Sequence, residues 1–300
     1  MDSSNSELAG WPESAAVGTR EFYQVALPRD SSEWGVGLRP GFSVSFSSTP
    51  GRRPALRVRQ RTPRLTKLLL MPDSPDNSAA RHYQGEAGRA YHEGKRGIPA
   101  AALLWVARLR AEKFTSPIRA TDTVVEFGVG AGWNLAELKC TRRIGFDVSD
   151  FLESSLRERG IEFVSNSAAL AASSADIVIC HHMLEHALNP AASLAEIHRV
   201  LKPGGKLLLH VPFEKERRYR HHDPAEPNHH LFSWNAQTLG NLVTECGFKL
   251  ESASIGQFGY DRAASAWAVK LKLGESGFRR LRSLAHLLVP AAEVRVVATK

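Results

Sequence analysis

Cysteine is scarce in this chain, and long apolar runs are absent. The 300 residues contain three cysteines, Cys140, Cys180 and Cys246, which lie far apart and form no CxxC pair. Three isolated thiols support neither a disulfide framework nor a zinc knuckle. No stretch reaches about 18 consecutive apolar residues, so the sequence predicts no membrane-spanning helix. The opening segment MDSSNSELAG is followed by no apolar region of the kind that a secretory signal needs, and we therefore predict a cytoplasmic protein.

The net charge of +8 would suit a nucleic-acid partner, but it is spread along the chain. Residues 1–70 contain 10 Lys+Arg and 6 Asp+Glu, a net of +4, and the other 230 residues supply the remaining +4. Nucleic-acid binding needs a clustered basic face rather than a total, so we predict no specific nucleic-acid partner. RNA binding through the basic segment 52–64 stays open as an alternative.

The first part of the chain differs in composition from the rest. Ser, Gly and Pro fill 22 of the first 70 positions, and no helical or strand period persists there. We predict a disordered extension and linker over 1–77 and one domain over 78–300. The alternative is that the natural protein starts at Met71. An intact mass of the natively expressed protein that matches residues 1–300 would exclude that alternative.

Strand and helix patterns alternate through the predicted domain. Short apolar runs predict strands at 123–128, 142–147, 161–164, 175–180, 205–212, 248–255 and 293–300. Amphipathic segments predict helices at 151–159, 190–201 and 236–245, together with a helical cap at 78–117, a lid loop at 213–235 and a helical insertion at 262–289. This β-α-β alternation predicts an α/β fold with a doubly wound, mostly parallel sheet and helices on both faces.

A glycine-rich turn follows the first predicted strand, in VVEFGVGAGWN. Gly128, Gly130 and Gly132 form a GxGxG spacing rather than the GxGxxG of dinucleotide sites, and Glu126 precedes the first glycine by two positions. The Glu126 carboxylate would repel a pyrophosphate but suits an ammonium group. Asp147 ends the second strand, 21 residues later, where an acid can accept hydrogen bonds from ribose hydroxyls.

These segments resemble the class I S-adenosylmethionine-dependent methyltransferases over about residues 80–300. The resemblance rests on VVEFGVGAGWN, IGFDVS, ADIVICHHMLEHALNP and IHRVLKPGGKLLLHVP, in that order. The last two blocks are similar to the small-molecule branch that includes the ubiquinone-pathway O-methyltransferases. The resemblance implies S-adenosylmethionine as cofactor and a seven-stranded sheet of order 3-2-1-4-5-7-6, with the last strand antiparallel.

The resemblance also implies which residues surround the cofactor. Glu126, Gly128, Gly130 and Gly132 would contact its methionine part, Asp147 its ribose, Val148, Asn166 and Ser167 its adenine, and Tyr83 or Tyr91 would close over it.

Nine of the 12 histidines fall between His181 and His230. Three of them lie in the segment CHHMLEH, at the end of the fourth predicted strand. His182, Glu185 and His186 would share one face of a helical turn. We predict His182 and His186 as bases for an oxygen acceptor, with His182 the better candidate. The ubiquinone-pathway relatives carry a glutamate in place of His182, so we assign no metal, although two histidines and a carboxylate would favour zinc or iron. The alternative is that Glu185 and His186 only stiffen the loop.

The predicted function is methyl transfer to a small-molecule acceptor, with oxygen as the acceptor atom. The alternative from another class is a non-catalytic scaffold or regulator that binds the cofactor without turnover. The lid loop contributes Arg217, Arg218 and Arg220 as candidate anion-binding groups, and His229 and His230 as groups that could reach the acceptor.

Overall fold

A seven-stranded mixed sheet organises the computed structural model, which describes residues 81–94, 97–214, 221–223, 226 and 228–300. The strands are β1 Thr123–Phe127, β2 Arg142–Phe146, β3 Glu162–Val164, β4 Ala175–His181, β5 Leu201–Pro212, β6 Lys249–Gln257 and β7 Ala292–Thr299. Their order across the sheet is β3-β2-β1-β4-β5-β7-β6. Strands β1 to β5 pair in parallel, whereas β7 runs antiparallel to both β5 and β6. The predicted fold class, strand order and antiparallel last strand are confirmed.

Helices cover both faces of this sheet. They are α1 Gly85–Gly94, α2 Leu103–Thr115, α3 Glu153–Glu158, α4 Pro190–Val200, α5 Ala236–Glu245, α6 Asp261–Lys270 and α7 Gly274–Leu288. Helix α4 starts where the sequence signals a start: the Asn189 side chain accepts a hydrogen bond from the Ala192 amide, and Pro190 occupies the first turn. Helix α5 begins with a reciprocal capping box between Asn235 and Thr238.

The central strands are buried on both faces, which explains their continuous apolar runs. Val124 and Val125 are both fully buried, yet they belong to separate core clusters on opposite sides of the sheet. Ile177 and Val178 divide between the two clusters in the same way. Successive strand residues point to opposite faces, so a strand that needs apolar neighbours on both sides carries no polar alternation.

Two predicted features differ in the structure, and the glycine turn leads into a series of turns over 133–137. The single helical insertion is two helices, because Lys272 adopts a left-handed conformation (φ 57°) between α6 and α7. Strand β5 starts at Leu201, four residues earlier than predicted, since the KPGG segment forms a bulge against the start of β4.

The predicted extension and linker over 1–77 and the arginines at 217, 218 and 220 lie outside the described residues. Within the described part of the chain, no helix has both the length and the apolar character needed to cross a membrane.

Candidate cofactor and acceptor site

A cavity of about 1490 Å³ opens at the carboxyl ends of the parallel strands. Its wall includes the last residues of β1, β2, β4 and β5, as the Rossmann-like topology requires. The predicted site residues that line it are Tyr83, Gly128, Gly130, Asp147, Val148, Ser167, His182 and His186. Tyr91 also lines it.

Glu126 lies in β1 immediately before the glycine turn and is fully buried. Asn134 Nδ2 donates a hydrogen bond to its Oε1, whereas Oε2 is buried with no hydrogen-bond partner among the described residues. Burial raises the pKa of this carboxyl to about 8, and the hydrogen bond from Asn134 opposes that shift. A buried carboxyl oxygen without a partner is costly, and a hydrogen bond from a cationic group is one way to satisfy it. Glu126 is not among the residues that line the cavity.

Two of the glycines have different reasons to lack a side chain. Gly128 has φ 74°, and a Cβ atom there would lie 2.6 Å from Met183. Gly132 has φ 76°, and its Cβ atom would lie 2.6 Å from Leu156 and 2.8 Å from Ile161, behind the loop and away from the cavity. The first glycine therefore makes room for Met183, whereas the third lets the loop pack on α3 and on Ile161, directly before β3.

Asp147 lies directly after β2, and β2 pairs with β1, the strand that contains Glu126. Its two carboxylate oxygens accept hydrogen bonds from the backbone amides of Gly130 and Ser149, both at 2.9 Å. A carboxylate has about four acceptor positions, so two remain for a ligand hydroxyl. The amides hold the carboxylate at the cavity wall in one orientation.

The predicted adenine contacts are placed differently from one another. Val148 and Ser167 line the cavity. Asn166 is exposed and does not line it; its side chain accepts a hydrogen bond from the Ala168 amide and caps the short 3-10 helix Ser167–Ala169. Sequence position alone could not separate these roles.

Segment 81–94 lies over the cavity and carries both predicted tyrosines. Ser149 Oγ donates a hydrogen bond to the Tyr83 carbonyl (2.6 Å), which anchors the start of this segment above β2. The Tyr83 hydroxyl donates to the Asn228 carbonyl (3.1 Å) and lies 2.7 Å from His186 Nδ1. Burial raises the pKa of both Tyr83 and Tyr91 well above the ordinary value, so these hydroxyls stay protonated.

His182 and His186 both line the cavity beyond the end of β4, but they do not share a helical face. His182 has φ 53° and precedes a short 3-10 helix, Leu184–His186, so the predicted helical turn does not form. His182 Nε2 lies 3.2 Å from Glu293 Oε2, and its Nδ1 is 4.0 Å from Glu185 Oε1. Burial lowers the pKa of His182 to about 4, against the opposing effect of Glu293.

Glu293, at the start of β7, is the centre of a buried network that sequence reasoning missed. We refer to it and the five side chains around it as the Glu293 cluster; the five are Lys113, His181, His182, His210 and Arg295. Glu293 is fully buried, and the hydrogen bonds from the histidines and the Lys113 charge hold its pKa far below the ordinary value despite the burial. Lys113 and Arg295 both approach this carboxylate, at 3.1 Å and 2.9 Å.

Two sets of side chains have the spacing of metal ligands: His181, His182 and Glu293, and separately Glu185, His186 and His230. The first set already has two cationic side chains against its only carboxylate, which disfavours a divalent ion. In the second set, His230 Nδ1 lies 2.7 Å from Glu214 and His186 interacts with Tyr83. The assignment of no metal therefore stays a prediction.

The backbone of the lid loop contacts the short 3-10 helix Leu184–His186. The amides of Leu231 and Phe232 donate to the Glu185 carbonyl, at 2.8 Å and 3.2 Å. His230 lines the cavity, whereas His229 is exposed and stacks on His82 with 4.7 Å between ring centroids.

S-adenosylmethionine fits the chemistry of this site on two counts. Its ammonium group matches the unpaired oxygen of Glu126, and its ribose hydroxyls match the remaining acceptor positions of Asp147. The fold and the site together define a class I S-adenosylmethionine-dependent methyltransferase.

Comparisons with known proteins agree with this class. A family model described as a methyltransferase domain matches residues 96–253, which is more than half of the chain. A Mycolicibacterium smegmatis protein named "Probable S-adenosylmethionine-dependent methyltransferase" is 29% identical over 142 residues, which cover 45% of this chain and 54% of that protein. The chain thus matches about half the length of this curated relative. It belongs to the methyltransferase-domain family.

Solved structures show the same fold at low sequence identity. A SAM-dependent methyltransferase of Thermotoga maritima is 20% identical with a TM-score of 0.51, over 74% of this chain and 99% of its own. The methyltransferase solved in complex with the Haloferax volcanii activator Trm112 is 18% identical with a TM-score of 0.50, over 75% of this chain and 99% of its own.

Proposed function

We propose that this protein transfers the methyl group of S-adenosylmethionine to an oxygen atom of a small-molecule acceptor. The observation that carries the proposal is the buried, unpaired oxygen of Glu126 beside the glycine turn, with Asp147 on the neighbouring strand. When bound, the cofactor supplies an electrophilic methyl group on its sulfonium. The task of the protein is then to hold donor and acceptor in line.

The size of the cavity supports a second ligand. Pockets for a single small ligand have volumes of about 300–1,000 Å³, and this cavity has about 1490 Å³. The volume beyond the cofactor site extends to His182, His186 and Phe258. An acceptor in that volume would meet imidazole groups next to the aromatic ring of Phe258, which packs against His182 with 4.1 Å between ring centroids. This mixed surface suits a small molecule with a hydroxyl group.

His182 has a nitrogen that can accept a proton. Glu293 accepts a hydrogen bond from His182 Nε2 only if that nitrogen carries the proton, so Nδ1 is the free acceptor. His186 lies between two neighbours: its Nδ1 is 2.7 Å from the Tyr83 hydroxyl and its Nε2 is 3.8 Å from Glu185 Oε1. With its pKa near 4, His182 is neutral at pH 7 and accepts a proton as a weak base.

The cofactor site is tested by calorimetric titration of S-adenosylhomocysteine into the full chain. Asp147→Ala removes the ribose acceptor and should cost about 1.5–3 kcal/mol, roughly a 10- to 150-fold loss of affinity. Asp150→Ala removes an exposed acid three positions away and should bind like wild type. No binding by the wild type, or equal affinities for all three proteins, would contradict the proposed cofactor site.

The acceptor chemistry is tested separately, by release of S-adenosylhomocysteine with a panel of phenols, carboxylic acids and amines. Turnover confined to oxygen acceptors, with a fall of 10²- to 10⁴-fold in His182→Gln or His186→Gln, is the expected result. Turnover confined to amines would refute the oxygen assignment.

The alternative functions predict other outcomes in the same experiments. Cofactor affinity without turnover on any acceptor would favour a scaffold or regulator. The RNA-associated alternative depends on residues 52–64, which lie outside the described residues, and predicts RNA binding that weakens steeply with salt. Membership of the ubiquinone-pathway branch and the cytoplasmic location stay predictions.

A further inference from the structure

The carboxyl-terminal part of helix α7 presents large apolar side chains to solvent, which is unusual for a surface helix. Leu284, Leu287 and Leu288 are 52%, 79% and 72% exposed. They stand at i, i+3 and i+4 and therefore form one stripe on the helix surface. The opposite face packs into the protein through the fully buried Phe278 and the buried His286. The exposed leucines are thus additional to the side chains that hold α7 in place.

The charges around this stripe have one sign. Between 261 and 289 the exposed ionisable side chains are all basic: Arg262, Lys270, Lys272 and Arg280. Of these, Arg280 falls on the leucine stripe, four positions before Leu284.

The two acidic residues of the hairpin are both paired with arginines. Asp261 is buried and pairs with Arg110 and Arg282, and Glu275 pairs with Arg108 and Arg279. The outer surface of the α6–α7 hairpin, residues 261–289, therefore combines exposed leucines with uncompensated positive charge.

The apolar stripe continues to the cavity. Val289 follows α7, is 62% exposed and also lines the cavity, as does Pro290. The Tyr260 hydroxyl donates a hydrogen bond to the Val289 carbonyl (2.6 Å), which fixes this segment at the cavity wall. Any membrane or protein surface that covers the leucines would therefore lie beside the cavity mouth.

We propose that the α6–α7 hairpin docks on an anionic lipid surface, with the leucines of α7 in the interface. Apolar side chains flanked by Lys and Arg suit the boundary between acyl chains and acidic headgroups. A second copy of this chain suits the same face less well, because two identical basic surfaces would repel each other. The docking does not depend on methyl transfer, so its test needs neither cofactor nor acceptor.

The test is co-sedimentation of the full chain with phosphatidylcholine vesicles that contain either no or about 30% phosphatidylglycerol. We expect the wild type to partition at least tenfold more strongly to the anionic vesicles than to the neutral ones. The double variant Leu287→Gln/Leu288→Gln should bind the anionic vesicles about tenfold more weakly than the wild type. Arg280→Gln should reduce binding severalfold and flatten its dependence on salt. Leu250→Gln is the matched control: this leucine is 37% exposed at the amino end of β6, away from the cavity, and its variant should bind like wild type.

Equal partitioning of wild type and the double leucine variant would overturn the proposal, because any remaining binding would then come from other basic segments. Circular dichroism and urea unfolding of each variant exclude misfolding as the cause of a loss. A wild-type dimer that dissociates in the double variant, with no vesicle binding by either protein, would assign the face to self-association instead.

Discussion

Glu126 should release its proton when the cofactor binds. Burial raises its pKa to about 8, so about nine tenths of the unliganded protein carries this proton at pH 7. An ammonium group beside Oε2 favours the ionised carboxylate and lowers that pKa. Binding of S-adenosylhomocysteine at pH 7 should then release roughly 0.9 proton from this group, and affinity should rise about tenfold per pH unit between pH 6 and 7.

Calorimetry in buffers of different ionisation enthalpy measures this proton count directly. In Glu126→Gln the hydrogen bond from Asn134 is kept, but the side chain has no proton to release. We expect the proton count to fall to near zero and the affinity to fall roughly 10- to 150-fold. Glu158→Gln, which changes an exposed glutamate, is the matched control and should leave both quantities unchanged.

The same substitution should stabilise the unliganded protein. The folded-state pKa of Glu126 lies above its unfolded value of about 4.5, so the folded protein binds more protons between these two values. Its contribution to stability therefore falls as pH rises from about 4.5 to 8. Glu126→Gln should raise the free energy of unfolding at pH 8 and change it little at pH 4. An equal release of protons by wild type and Glu126→Gln would refute the reasoning.

Two further predictions concern stability, and urea unfolding measures both. Gly132→Ala should cost about 2–5 kcal/mol, from its positive φ and the contacts behind the loop, whereas Gly204→Ala, with the same φ of 76° and open space around it, should cost only about 1–2 kcal/mol; equal costs would contradict the packing role. The pKa values of the three histidines in the Glu293 cluster are lowered, chiefly by burial, so they stay neutral in the folded protein while the unfolded chain protonates them below about pH 6.5. The histidines add up to three protons to the unfolded chain, and Glu126, which is protonated only in the folded protein at these pH values, offsets one of them. Stability should therefore fall from pH 6.5 to 5 with a slope of up to about 3 kcal/mol per pH unit; a flat profile would show that these histidines titrate normally.

The cofactor side of the site was readable from the sequence because its determinants are local. Glu126, the glycine turn and Asp147 sit at the ends of two neighbouring strands, and the chain places them there through strand length and turn chemistry alone. Continuous apolar runs marked the buried strands for the same reason, because adjacent residues of a strand face opposite sides of the sheet and both sides are buried. Asn166 shows the limit even here, since the sequence could not tell a loop residue that faces the cavity from one that caps a 3-10 helix.

The acceptor side was decided by contacts between distant parts of the chain. Glu293 reads in sequence as the first polar residue of a last strand, yet the antiparallel pairing of β5 with β7 places it opposite Pro212 and beside His182, 111 positions away. No local pattern predicts which side chain will meet a buried carboxylate across the sheet. The sequence by itself therefore determined the class of protein, the sheet and the position of Glu126 and Asp147 at the ends of neighbouring strands. Only the tertiary structure decided the partners of the histidines and the apolar outer face of α7, because burial and exposure there depend on how remote elements pack.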